Sequence, residues 1–111
     1  MATDRGTIRM MADYDCYPLW RQERGGTENI DPATLPVSPE LAELLLHWAE
    51  EYDRTLNRDD PVSSGFPDPA AENDFYARGE ILAHRLASEL GGARQVAYFD
   101  ARSGTDVVIA P

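Results

Sequence analysis

The chain has 111 residues, with twenty acidic side chains against ten basic ones, and its formal charge is −10. A surface of that charge repels the phosphate backbone, so the composition argues against a nucleic-acid partner and for a basic protein surface. One cysteine rules out an internal disulfide, and no apolar run suits a signal peptide or a membrane span. We therefore expect a cytoplasmic protein folded as a single domain over residues 1–111.

The N-terminal third contains one clear element and one long irregular stretch. Apolar and polar side chains alternate over residues 7–14, which predicts a strand preceded by a flexible lead-in of residues 1–6. The alternation then disappears, and glycine and proline interrupt a polar stretch. The pattern predicts a long loop over residues 15–37, and long loops often carry binding residues.

Two helices follow, and each has a recognisable beginning. Ser38 with Pro39 and Asp68 with Pro69 combine a capping side chain with a proline at the first helical position. Apolar residues recur behind them at intervals of three and four, which predicts helices over residues 39–56 and 69–90. Gly91 follows the second helix as a terminator.

The C-terminal residues predict a hairpin, with strands at 95–101 and 105–110. The resulting order, β-α-α-β-β, predicts an α+β two-layer sandwich with two helices on one face of a three-stranded sheet. If the helices are antiparallel, we expect the second strand to run antiparallel to the first, although the long loop leaves that direction open. Apolar residues occupy both faces of the strands: Met11 lies opposite Met10, and Ala97 and Phe99 lie opposite Val96 and Tyr98. Because the helices can cover only one face, we expect a second copy or a partner to bury part of the other, and we predict a homodimer.

The densest candidate for chemistry is Asp13, Asp15 and Cys16, at the end of the first predicted strand. A nucleophilic thiol requires a lowered pKa, and two neighbouring carboxylates favour the neutral thiol instead. The acids also form no calcium-loop motif, and no cofactor is predicted. A small enzyme or a metal-binding domain centred on these residues remains an alternative.

The candidate contact residues lie on two predicted loops, the one over residues 15–37 and a connecting loop over residues 57–67 between the helices. Tyr17 and Trp20 are aromatic residues of the kind enriched at interface hot spots. Acidic residues accompany them on the first loop and stand alone on the second. The predicted partner-binding set is Tyr17, Trp20, Glu28, Asp31, Asp59 and Asp60.

Five segments together carry a family resemblance: MADYDCYPLW at residues 11–20, NIDP at 29–32, LPVS at 35–38, WAEEYDRTLN at 48–57 and SGF at 64–66. They resemble a small group of uncharacterised proteins from GC-rich bacteria, actinobacteria especially. The resemblance implies no catalytic residues. In size and acidity the chain is similar to immunity proteins of bacterial toxin systems.

These observations favour a non-enzymatic acidic binding protein of the immunity or antitoxin type, which neutralises a basic partner such as a toxin. Two alternatives stay open. One is the small enzyme or metal-binding domain, and the other is a stand-alone dimeric domain with a regulatory role.

Overall fold

A computed structural model describes residues 6–111, so most of the predicted lead-in of residues 1–6 lies outside the described residues. The α+β class and the pair of helices are confirmed. Short 3-10 helices, Pro32–Thr34 and Pro61–Ser63, precede α1 and α2. The main elements are β1 (Thr7–Met10), β2 (Leu19–Glu23), β3 (Gly26–Ile30), α1 (Pro39–Asp53), α2 (Pro69–Leu90), β4 (Gln95–Asp100) and β5 (Thr105–Ile109).

In the part of the chain that the structure describes, the sheet has five strands in the order β3-β2-β1-β4-β5, so the prediction of three strands was wrong. The two additional strands form a hairpin inside the stretch predicted as a loop over residues 15–37. Arg24 and Gly25 make its two-residue turn, after which Gly26 has a φ of 141°. β3 lies at the sheet edge and is largely exposed, so its sequence GTENI lacks the apolar alternation of a half-buried strand.

β4 runs parallel to β1, contrary to the expected antiparallel direction. The cause is the segment over residues 31–38. β3 ends beside the end of β1, whereas the backbone N–H of Ser38 donates to the Glu89 carboxylate, near the end of α2, at 2.6 Å. The segment therefore returns the chain to the opposite end of the sheet before α1 begins. Because the two helices are antiparallel, α2 returns the chain to that same end of the sheet. β4 therefore runs parallel to β1.

The capping residues act at both helix starts as the sequence predicts. The Ser38 hydroxyl accepts from the backbone N–H of Leu41, and the Asp68 carboxylate accepts from that of Ala71. Gly91, at a φ of 62°, ends α2. The first helix ends at Asp53 rather than at residue 56, because the backbone N–H groups of Thr55 and Leu56 donate to carbonyls three residues earlier and not four. Neither helix among residues 6–111 combines the length and hydropathy that crossing a bilayer requires.

The core lies between the helices and one face of the sheet. The rings of Trp48 and Phe75 stack at 4.5 Å, and the hydroxyl of Tyr98 donates to the Tyr76 carbonyl at 2.8 Å. Ile8 of β1 is fully buried beneath them. Both helices thus cover the same face of the sheet, and no helix formed by residues 6–111 lies on the opposite face.

Candidate functional site

Three connecting segments meet beyond the end of α1. The backbone N–H of Asp15, in the β1–β2 loop, donates to the Asp53 carboxylate at 2.9 Å. Arg58, in the loop between the helices, donates to the Asp15 carboxylate at 2.8 Å. The hydroxyls of Tyr14 and Thr55 share a hydrogen bond of 3.2 Å. The β1–β2 loop, the end of α1 and the loop that follows α1 are therefore held together.

Carboxylates gather at this end of the molecule. The connection after β3 and the first turn of α2 reach the same end, because β3 ends beside β1 and the helices are antiparallel. The arginines of these segments are Arg54 and Arg58. We call the set of carboxylates the acidic end: Asp13, Asp15, Asp31, Glu50, Asp53, Asp59, Asp60, Asp68 and Glu72.

Elsewhere, arginines form ion pairs with most of the acids. Arg78 binds Glu51 at 2.6 Å and Asp74 at 2.8 Å, and Arg102 binds Asp100 at 2.7 Å. Among residues 6–111, most carboxylates of the acidic end have no such partner. Seven of the nine have no arginine nitrogen within 4 Å in that part of the chain: Asp13, Asp31, Asp53, Asp59, Asp60, Asp68 and Glu72. The excess negative charge of the described chain is therefore concentrated at one end.

A groove of about 450 Å³ lies beside the acidic end, between the β1–β2 loop and α1. Its lining includes Tyr17, whose surface is 43% exposed. The amide side chain of Asn29 holds this residue's backbone on both sides, accepting from its N–H at 2.9 Å and donating to its carbonyl at 2.8 Å. The aromatic ring is thus presented from a backbone that is anchored to β3.

Cys16 lines the same groove, and its surroundings disfavour the thiolate. Burial raises the pKa of the Cys16 thiol, and the carboxylates of Asp13, Asp15 and Asp53 raise it further. Within residues 6–111, no three histidine, cysteine or acidic side chains are arranged to hold a metal ion. The enzyme and metal alternatives centred on Asp13, Asp15 and Cys16 gain no support from this geometry.

The chain matches, over residues 6–101, the family model described as Serratia CdiI immunity protein-like. It belongs to that family. The matched span includes every carboxylate of the acidic end, and it confirms the immunity-protein-like character expected from size and acidity. No curated protein sequence is significantly similar to this CdiI-like chain.

The six predicted contact residues of this CdiI-like protein fall into two groups. Tyr17, Asp31, Asp59 and Asp60 lie at or beside the acidic end. The other two lie apart from it. Trp20 is half-buried on the helix-free face of the sheet, where its indole N–H donates to the Met11 carbonyl at 3.1 Å.

Glu28 is the second residue outside the acidic end. It lies on the edge strand β3 and forms an ion pair with Arg21. The contact set predicted from the sequence does not include Glu50 and Asp53, which the structure places at the acidic end. The signal that marks them is an acidic run at the end of α1 without a basic residue in the last helical turn.

Proposed function

We propose that this chain is an immunity protein that neutralises a toxin by binding a cationic surface of that toxin with its acidic end. Membership in the CdiI immunity-protein-like family supports the class of function. The observation that carries the choice of surface is the contrast in pairing. Outside the acidic end, arginines pair with most acids of the two helices, such as Glu40, Glu51 and Glu80, whereas most carboxylates of the acidic end have no arginine partner among residues 6–111.

The charge of this end favours fast encounter with a basic partner. Electrostatic attraction falls off over about 8 Å at physiological ionic strength, so carboxylates clustered on adjacent loops act together. Complementary charge of this kind raises the association rate more than it raises affinity. The proposal therefore requires a second feature that holds the partner once it has docked.

Tyr17 provides that feature. It is exposed, aromatic and adjacent to the acidic residues, and Asn29 anchors its backbone before any partner arrives. Tyrosine is enriched at hot spots because a large ring with few rotatable bonds is buried at low entropic cost. Burial of this ring in the toxin contributes about 2 kcal/mol in our proposal, a typical value for a hot spot.

A kinetic experiment with the toxin that this chain neutralises tests the proposal. Asp59→Lys and Glu43→Lys make the same charge change at exposed carboxylates that form no side-chain contact within residues 6–111. Asp59 belongs to the acidic end, and Glu43 lies near the beginning of α1. We expect Asp59→Lys to slow association and to weaken its salt dependence, whereas Glu43→Lys has little effect. Equal effects of the two changes would contradict the proposed surface.

The same experiment separates the effect of charge on the association rate from the effect of Tyr17 on the dissociation rate. We expect Tyr17→Ala to speed dissociation while leaving the association rate nearly unchanged, because affinity differences within one interface arise mainly in the dissociation rate. A Tyr17→Ala protein that binds and dissociates like the natural chain would remove this residue from the interface.

A further inference from the structure

The helix-free face of the sheet differs in charge from the rest of the molecule. Its side chains belong to alternate residues along the five strands, on the side of the sheet away from the helices, and one row across the sheet is Asn29, Trp20, Arg9, Ala97 and Val108. We call this surface the neutral face. Its members are Thr7, Arg9, Trp20, Gln22, Thr27, Asn29, Gln95, Ala97, Phe99, Asp106 and Val108.

The neutral face has two ionisable members, and they neutralise each other. Arg9 donates through Nε to the Asp106 carboxylate at 3.0 Å. Its guanidinium carbon also lies 5.2 Å from the centroid of the Phe99 ring. The formal charge of the face is therefore zero, although the chain carries −10. A cationic partner gains no attraction here, whereas a second copy of the chain meets no local repulsion.

Apolar side chains occupy the same face. Val108 is 63% exposed, and Trp20 and Phe99 are partly exposed. The core contacts of Ile8, Met10 and Tyr98 show that both helices lie on the other side of the sheet. Apolar groups gain free energy when a partner removes them from water. We infer that the neutral face binds a second copy of this chain, so that two sheets meet face to face in a homodimer.

The size of the face sets the strength of the contact. Five strands about 4.8 Å apart, each about five residues long at about 3.3 Å per residue, cover roughly 24 by 16 Å, or about 400 Å². A standard stable interface buries about 800 Å² on each partner. The predicted dimer is therefore weak, and its population should rise between micromolar and near-millimolar concentration.

The effect of salt concentration on the affinity of the dimer differs from its effect on toxin binding. Two chains of charge −10 repel each other over the whole molecule, and added salt screens that repulsion. We expect salt to strengthen the dimer, whereas it should weaken a complex between the acidic end and a cationic toxin. Because the two contacts use different residues, one can fail without the other.

Sedimentation equilibrium over that concentration range, at low and at moderate salt, tests the inference. Val108→Glu places a carboxylate on the neutral face of each copy. Val62→Glu is the matched control, because Val62 is 95% exposed, lies outside the face and receives the same charge. We expect Val108→Glu to raise the dissociation constant of the dimer at least about tenfold, while Val62→Glu leaves it unchanged.

Three results would overturn the inference. One is a natural chain that remains monomeric at every concentration and salt. Another is a dimer that both glutamate variants weaken equally, or that neither weakens. The third is loss of toxin binding in Val108→Glu without a change in self-association, which would assign the neutral face to the toxin. Circular dichroism of both variants establishes that the fold is intact, as expected for two exposed positions.

Discussion

The backbone N–H of Asp15 lies 2.9 Å from a carboxylate oxygen of Asp53, which caps the β1–β2 loop against the end of α1. Asp15 adopts a φ of 61°, a left-handed conformation that aspartate tolerates better than most residues. Its own carboxylate accepts from Arg58. One residue therefore connects three segments, and the shape of the acidic end depends on it.

The first prediction separates the structural role of Asp53 from its charge. Asp53→Ala removes the acceptor for the Asp15 N–H, and we expect it to lower the free energy of unfolding by about 1 kcal/mol. Asp53→Asn retains an acceptor oxygen and should cost less. Urea unfolding of both variants at neutral pH measures the difference. Equal free energies of unfolding for Asp53→Ala and Asp53→Asn would show that this hydrogen bond contributes nothing measurable to stability.

The second prediction concerns the close approach of α2 to the core aromatics. A Cβ added to Gly79 would lie 2.5 Å from Trp48 Cζ2 and closer still to the hydroxyl of Tyr98. Because both rings are buried and rigidly packed, we expect Gly79→Ala to destabilise the protein by about 1–3 kcal/mol despite its better helix propensity. Thermal unfolding tests this, and Ser88→Ala, at an exposed position on the same helix, is the control. A Gly79→Ala protein as stable as the natural chain would contradict the packing described.

The third prediction is that the thiol of Cys16 reacts slowly and is not required for protection against the toxin. Burial and three nearby carboxylates raise the pKa of its thiol, so little thiolate is present at neutral pH. We expect Cys16→Ser to protect against the toxin as well as the natural chain does, and we expect slow alkylation of the folded protein by iodoacetamide. Rapid alkylation together with loss of protection in the serine variant would reverse this conclusion.

The fourth prediction is a pH dependence that comes from Glu89. The backbone N–H of Ser38 and the guanidinium of Arg85 hold the pKa of this carboxyl below its usual value. Because the pKa is lower in the folded state, the stabilisation is complete above the ordinary glutamate pKa of about 4.3 and is lost as pH falls through the folded value.

Glu89→Gln tests that linkage. We expect the variant to be less stable than the natural chain at neutral pH, with the two stabilities converging at acid pH. Urea unfolding at several pH values gives the two curves. A difference in stability that stays constant from neutral to acid pH would exclude Glu89 as the source of the dependence.

Much of the fold follows from local chemistry that the sequence displays. Ser38, Asp68 and Gly91 mark helix ends through backbone geometry and capping, which require no knowledge of the tertiary structure. The β2–β3 hairpin is different. β3 is an exposed edge strand whose buried member is Ile30, so its apolar signal is too weak to distinguish it from a loop.

The acidic end could be predicted only in part, for a related reason. Asp59 and Asp60 were candidates because they lie in a polar loop. Asp53 was not, since its position beside the β1–β2 loop depends on a contact across 38 residues of sequence. Trp20 illustrates the same limit, because a sequence that shows an aromatic residue after a strand does not show which face of the sheet it will occupy.

Amide hydrogen exchange of this chain, alone and with its toxin partner, tests most directly the proposal that the acidic end is the toxin-binding surface. We expect the toxin to slow exchange in the β1–β2 loop at residues 11–18 and in the loop at residues 54–68. Exchange in β5 and near the beginning of α1 should stay unchanged. Protection confined to the neutral face or to the beginning of α1, with both loops unaffected, would contradict the account.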